Sequence, residues 1–435
     1  MDDLSRRQFL AAVAGVTLGA AGLNVLAAQA ARSRSGALPP PQESGIEHVI
    51  VLMMENRSFD HLLGWLPRAD GRQAGLAFPD SSGASGYVGT SAPDFTGCGF
   101  GDPDHSYQGG RVEFDYGACD GWLQVNDVYS IGFYQQGDLA FVGDAAPHWT
   151  TCDRYFAAIM GPTFPNRMYQ HAGVTDRLSN TLTLSTLPTI WDRLADAGLA
   201  GRYYYGNLPF LALWGPRYLP IVRPFASFLA DCASGELPAV AFVDPTFTEL
   251  GSEPGTNDDH PHADIRAGEA LMAQVYAAVA ASPDWGSTVL VINFDEWGGF
   301  FDHVPPENAP DVEAAFQLRG FRVPALVISP LARRNTVAHD VFDHTSVLSL
   351  IEWRWSLPPL SVRDATATNL ATALNFGEKP DLGAPNLHVP PFVSAGCSPP
   401  PAAAPAATAP LQASGSDAEW AGFADLARVQ GFEVL

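Results

Sequence analysis

Two runs of apolar residues, far apart in the chain, each stop at a cluster of carboxylates. Residues 47–54 read Glu-His-Val-Ile-Val-Leu-Met-Met and lead into Glu55-Asn56-Arg57-Ser58-Phe59-Asp60-His61. Residues 288–294 read Thr-Val-Leu-Val-Ile-Asn-Phe and lead into Asp295-Glu296-Trp297-Gly298-Gly299-Phe300-Phe301-Asp302-His303. Unbroken β-branched runs of this length predict buried strands. Further apolar runs predict strands over 239–243 and 324–329, and apolar residues at helical spacing predict helices over 191–200, 263–281 and 345–355. Strands alternating with helices predict an α/β fold, a mostly parallel central sheet with helices on both faces. Ligands gather at the carboxyl ends of such strands, which is where both acidic strings stand. An acidic pair after a single strand is ordinarily a helix cap or a solvated turn. Two such ends and a Gly-Gly turn point instead to one cation shared by Glu55, Asn56, Asp295 and Glu296.

Composition narrows the partners. The chain has 435 residues, 46% of them hydrophobic, enough for a large core. A formal charge of −23, from 47 acidic and 24 basic residues, speaks against nucleic acid as a partner and against simple adhesion to anionic lipid. An anionic substrate would therefore need a local cation.

Residues 1–30 read as an address. Ser5-Arg6-Arg7-Gln8-Phe9-Leu10 carries twin arginines, an Ala/Gly/Val/Leu-rich stretch follows to Leu26, and Ala28-Gln29-Ala30 offers a cleavage site. This predicts a twin-arginine signal peptide, the twin-arginine export machinery as a partner, and a mature chain exported to the periplasm or secreted. The stretch is too short, too rich in alanine and too interrupted by Asn24 for an anchor, and no later segment is apolar enough for a transmembrane span. A spacer over 31–45, a catalytic domain over 46–393, a Pro/Ala-rich linker over 394–416 and a C-terminal helix over 417–435 complete the expected organisation. Trp420, Phe423, Leu426 and Val429 would form the helix face that docks on the domain or meets a partner. Among the five cysteines there is no Cys-x-x-Cys pair. Cys98 and Cys119 share a Gly/Asp/Tyr-rich stretch and are the first disulfide to test, although connectivity is not readable from sequence.

A third string carries a nucleophile candidate, Met160-Gly161-Pro162-Thr163-Phe164-Pro165-Asn166-Arg167-Met168-Tyr169. Its Gly-Pro context places Thr163 at or near a helix N-terminus, where backbone N–H groups favour an anion. A hydroxyl is a poor nucleophile alone, and a divalent cation lowers its pKa. Taken by itself, Thr163 reads as a helix cap.

The three strings together, Glu-Asn-Arg-Ser-Phe-Asp-His, Gly-Pro-Thr-x-Pro-Asn-Arg and Asp-Glu-x-Gly-Gly-Phe-x-Asp-His, resemble the bacterial phospholipase C and acid phosphatase family over residues 46–360. They also resemble the plant non-specific phospholipases C. The resemblance implies an alkaline-phosphatase-like fold, with Glu55, Asn56, Thr163, Asp295 and Glu296 as metal ligands and Thr163 as the covalent nucleophile. It implies further that Asn56 contacts the phosphoryl group, as do His105 in Asp102-Pro103-Asp104-His105 and His260 in Asp258-Asp259-His260-Pro261. His260 is the favoured general acid, His105 follows, and His303 is a third catalytic candidate. Arg57, Asp60 and His61 would brace the metal site. The remaining histidines, His48, His148, His171, His262, His339, His344 and His388, are expected to be structural.

An all-oxygen ligand set suits one divalent ion of the Ca²⁺, Mg²⁺ or Mn²⁺ kind better than Zn²⁺. The expected activity is phospholipase C-type cleavage of phosphodiesters in phospholipid head groups. An acid phosphatase acting on monoesters is the alternative within that class, and a non-catalytic exported phosphate- or lipid-binding protein the alternative outside it. The chain has no room for the extra C-terminal β-domains of the longer haemolytic members, so avid membrane attack is not expected. Phe133-Tyr134, Trp149, Tyr203-Tyr204-Tyr205 and Trp214 could hold acyl chains or a choline-like cation, core packing being the commoner use of such residues.

Overall fold

The computed structural model describes residues 38–248, 254–397 and 416–435. The twin-arginine string and most of the Pro/Ala stretch lie outside them. The main sheet is built from β1 (His48–Met54), β2 (Thr150–Cys152), β3 (Gly201–Tyr205), β4 (Val222–Pro224), β5 (Val240–Val243), β6 (Thr288–Phe294), β7 (Ala325–Ile328) and β8 (Thr336–Ala338). Their order across the sheet is β8-β2-β7-β6-β1-β5-β3-β4. From β6 to β4 neighbouring strands run parallel. Strand β7 is antiparallel to β6 and β2, and β8 pairs parallel with β2. This is the mostly parallel α/β sheet that the alternating pattern predicts. Every residue of β6 is buried, as is every residue of β1 after His48, so cover is present on both faces.

The helices that matter for the site are α1 (Phe59–Leu63), α2 (Thr163–Ala172), α3 (Ile265–Ala281) and α4 (His344–Trp355). Helix α3 packs on β6 and β1, and α4 packs on α2. The helix expected over 191–200 runs from Ile190 to Asp196, capped by Thr189, and ends early where Gly198 takes a left-handed φ of 68°. Helix α5 (Ser416–Val429) closes the chain against the segment Phe210–Ile221.

Three expectations are corrected. The buried stripe of α5 runs through Phe423 and Ala427, one helical repeat apart, whereas Val429 is 80% exposed. Trp420 lies outside the described side chains. Cys98 is bonded to Cys397, not to Cys119. Cys119 stays a free thiol turned into the apolar cluster of Phe78, Trp122 and Phe321. The folded unit therefore continues past 393, since Ser394 is buried and Cys397 is anchored. Phe133, Tyr134, Trp149, Tyr203, Tyr204, Tyr205 and Trp214 are all buried, in keeping with core packing as the commoner use of such residues. Among the described residues no helix is long and apolar enough to cross a membrane.

Candidate active site

Strand register brings the two acidic strings together. Met54 lies level with Phe294, so β1 and β6 end side by side and the next residues are Glu55 and Asp295. Asp295 N donates to Met54 O at 3.0 Å. Asp295 Oδ1 then accepts from Asn56 N at 3.1 Å and Glu296 N at 2.7 Å, while Glu296 Oε2 accepts from Gly298 N at 2.6 Å. Asn56 adopts a left-handed φ of 55°. A Cβ on Gly298 would meet its carbonyl oxygen at 2.2 Å, so glycine is required at that turn.

Thr163 is the first residue of α2, after Pro162, and no side chain caps the helix. Its hydroxyl instead donates to Glu55 Oε2 at 3.3 Å, with Asn56 Oδ1 at 3.5 Å. The plain helix-cap reading of Thr163 is thereby displaced. Asn166 holds the preceding turn by donating to Ile159 O and Gly161 O, at 3.1 and 2.8 Å. One turn beyond Thr163, Arg167 contacts Glu55 Oε1 at 2.7 Å, Asp244 Oδ1 at 2.8 Å and Asp295 Oδ2 at 3.5 Å. Asp244 follows β5, whose Val243 pairs with Leu52, so a third strand end feeds the same cluster.

The histidines arrive on loops. His105 Nδ1 donates to Pro103 O at 2.8 Å, which leaves Nε2 facing Asn56 Nδ2 at 3.4 Å and Glu296 Oε1 at 3.8 Å. His260 Nδ1 likewise donates to a main-chain carbonyl, that of Pro261. The two rings stand edge to face with centroids 5.6 Å apart. Burial lowers the pKa of His105. Burial, with His105 beside it, holds His260 well below the ordinary range.

His303 is placed elsewhere. Its ring nitrogens are engaged with Asp60 and, at 3.2 Å, Asp70. Among the described residues, Asp60, Asp302 and His303 form one of two groups whose ligand atoms lie within 4.8 Å of one another; the other is Asp102, His105 and His260. The first already holds a cation, because Arg322 contacts Asp302 at 2.9 Å and Asp60 at 3.3 Å. Of the expected braces, Arg57 does reach the site, since its Nε donates to Asp259 O at 2.7 Å, next to His260.

The oxygen cluster offers donors that suit a divalent ion, although Glu55, Asp295 and Glu296 do not converge within 4.8 Å as Asp102, His105 and His260 do, and Arg167 already contacts Glu55 and Asp295. Glu55, Asp295 and Glu296 are fully buried like charges. Asp295 Oδ2 and Glu296 Oε1 accept no hydrogen bond. Burial and then the Asp295 charge push Glu55 and Glu296 well above the usual carboxylate range, against the pull of Arg167 on Glu55. Burial raises Asp295 as well. A cation relieves these repulsions, and carboxylate, amide and hydroxyl oxygens are hard donors.

Sequence reading missed Arg167, Asp244 and Glu113. Arg167 was within reach, because its spacing of four from Thr163 puts both on one helix face. Glu113 joins Trp297 Nε1 to Asn126 Nδ2, each at 2.7 Å, and His344 Nε2 donates to Asp295 O at 2.6 Å. Glu113 stands in no motif, and His344, satisfied by a main-chain carbonyl, keeps the structural part expected of it.

Known proteins share this chain's sequence pattern. A profile of the Phosphoesterase family matches residues 46–358. Phospholipase C B of Mycobacterium tuberculosis (strain ATCC 25618 / H37Rv) is 31% identical over 473 residues, covering 90% of this chain and 89% of its own. Non-specific phospholipase C3 of Arabidopsis thaliana is 30% identical over 389 residues, covering 76% of this chain and 74% of its own. A solved protein in the alkaline phosphatase superfamily from Vibrio parahaemolyticus aligns with a TM-score of 0.41 and 10% identity, over 78% of this chain and 72% of that one. With a family profile spanning most of its length and relatives matched over about three quarters or more of both chains, the chain belongs to the Phosphoesterase family and is a hydrolase of phosphoric esters.

Proposed function

We propose that the protein is an exported, metal-dependent phosphoesterase of the phospholipase C type that forms a phospho-threonine on Thr163. The observation that carries the reading is the Thr163 hydroxyl, which opens a buried helix and is aimed at Glu55 and Asn56 rather than at its own backbone. The phospholipase C names of the relatives favour a phosphodiester substrate.

Glu55, Asn56, Thr163, Asp295 and Glu296 would hold one divalent cation, which supplies positive charge beside the nucleophile and the phosphoryl oxygens. Ca²⁺, Mg²⁺ or Mn²⁺ suits these oxygen donors. Glu55 accepts the hydroxyl hydrogen of Thr163 and aims a lone pair at phosphorus. Attack forms the Oγ1–P bond as the bond from phosphorus to the diacylglycerol oxygen breaks. Asn56 Nδ2 and the imidazoles of His105 and His260 face the phosphoryl oxygens and stabilise the charge that develops there. Both histidines turn Nδ1 to a main-chain carbonyl, so Nε2 is the atom left for proton transfer. A bound phosphoryl anion favours their protonated form, and His260 then hands its proton to the departing alkoxide. Water next attacks phosphorus, giving a proton to His260 as the Oγ1–P bond breaks; the phosphoryl head group leaves and Thr163 takes its hydrogen back from Glu55.

The test is hydrolysis by metal-stripped mature protein of phosphatidylcholine and of an aryl phosphate monoester, before and after adding Ca²⁺, Mg²⁺, Mn²⁺ or Zn²⁺. Metal-restored release of phosphocholine is the expected result. Metal-restored cleavage of the monoester alone moves the protein to the phosphatase branch. Phosphate binding without turnover under any condition sinks the catalytic reading.

A further inference from the structure

The two phosphate-facing histidines sit on separate loops, and a third piece of chain spans both. His105 ends the loop that contains Phe95, Cys98 and Asp102; His260 lies in the loop between β5 and α3. The loops touch directly where Ile265 N donates to Phe95 O at 3.1 Å and His262 Nε2 meets Phe100 O at 3.0 Å. Residues 391–397 then cross them without forming a helix or strand. Ser394 O accepts from Gly255 N at 2.9 Å, and Ser394 Oγ accepts from Asp264 N at 3.4 Å, so the strap grips the His260 loop on either side of the histidine. The Arg266 guanidinium lies 4.7 Å from the Phe95 ring and 4.6 Å from the Phe392 ring, between the first loop and the strap. The Cys98–Cys397 bond closes the circuit.

We propose that this disulfide-anchored strap is a positioning clamp for His105 and His260, setting their separation for the phosphoryl group. The inference rests on the phosphoesterase reading of the site. The carboxylates of Glu55 and Asp295 depend less on the strap, because sheet register places them and Arg167 holds both. Opening the clamp therefore loosens the histidines and spares the cation site. Glu55 N to Asp258 O at 2.8 Å and Arg57 Nε to Asp259 O at 2.7 Å still tether the His260 loop, so the loss is partial. A displacement of about 1 Å at reacting groups costs up to about a hundredfold.

The decisive experiment compares the wild type with Cys98→Ala/Cys397→Ala in three measurements: kcat and KM on the ester that the wild type cleaves, affinity for inorganic phosphate, and calorimetric affinity for Mn²⁺. The expected outcome is a fall of about tenfold or more in kcat and in phosphate affinity, with Mn²⁺ affinity within about twofold of wild type. Unchanged kcat and phosphate affinity overturn the clamp, and so does an equal loss of phosphate and Mn²⁺ binding, which signals general loosening. Should the double variant not fold, Phe392→Ala decides. It keeps the disulfide, and about threefold weaker phosphate binding is expected; no change rejects the clamp. If the wild type binds phosphate but cleaves no ester, the catalytic reading fails separately, while the phosphate and Mn²⁺ measurements still judge the clamp.

Discussion

The candidate active site has a sheet-borne half and a loop-borne half, and they are held by different means. Glu55, Asn56, Asp295 and Glu296 follow directly from strands whose backbone register fixes them, and Thr163 opens a helix whose ten residues are all buried. His105 and His260 belong to loops joined to each other and to the sheet by a few main-chain hydrogen bonds, an Arg–aromatic stack and a disulfide. The difference teaches where tolerance lies. On the proposed reading, the groups that would share a cation and the attacking oxygen follow from strand ends and a fully buried helix, so their placement comes with the fold. The histidines that would meet the substrate depend on a handful of long-range contacts, so their placement is the part a single substitution can loosen.

The largest effect expected on the sheet-borne half comes from Thr163→Ala. It removes the attacking oxygen and should lower kcat by at least about a thousandfold with the melting temperature little changed; activity above a tenth of wild type rejects the covalent mechanism. On the loop-borne half, His260→Ala should cost about a hundredfold in kcat while leaving divalent-ion affinity as it was, measured by steady-state kinetics and calorimetry. A parallel fall in ion affinity would merge the two halves into one. Asp295→Asn should do the reverse, weakening Mg²⁺ or Mn²⁺ binding by about ten- to a hundredfold, and undiminished affinity would remove Asp295 from the ligand set.

The smallest effect concerns His171, one turn after Arg167 on the same helix. Burial, and after it the Arg167 charge, push its pKa down to about 3. Its folded-state value lies below the unfolded one near 6.5, so the unfolded chain binds the extra proton first. Stability from this group is full above about pH 6.5 and is lost as pH falls towards 3, on the order of 1 kcal/mol by pH 5.5. His171→Phe should flatten that acid limb in denaturant titrations at pH 7.5 and 5.5. An unaltered slope would show that other groups set it.

Much of the sheet-borne half was legible in the sequence because its signals are local. The strand over 288–294 was located to the residue, that over 47–54 within one residue, and the carboxylates were expected at their ends. Helix α4 was likewise read within one residue. Strands β2, β4 and β8 have three residues each, too few to show a period, and β3 was hidden because Tyr203-Tyr204-Tyr205 looked like an aromatic patch. The loop-borne half was legible only in its histidines. What seats them is non-local: Arg57 reaches the carbonyl of Asp259, Trp297 reaches Glu113, and Cys98 finds Cys397 across a separation of 299 residues. His303 sits in a motif of the same kind as Glu296 but turns its ring to Asp60 and Asp70, since nearness in sequence does not set side-chain direction.

Cys397 stands beyond every residue of the site. Translation order therefore leaves the Cys98 thiol waiting until nearly the entire domain has emerged, and the bond closes around a finished body instead of steering an early one. An alkylating reagent offered to growing or truncated chains marks that thiol. The fraction in which Cys98 escapes the mark counts the molecules whose Cys397 has been made and whose two thiols have met an oxidising compartment.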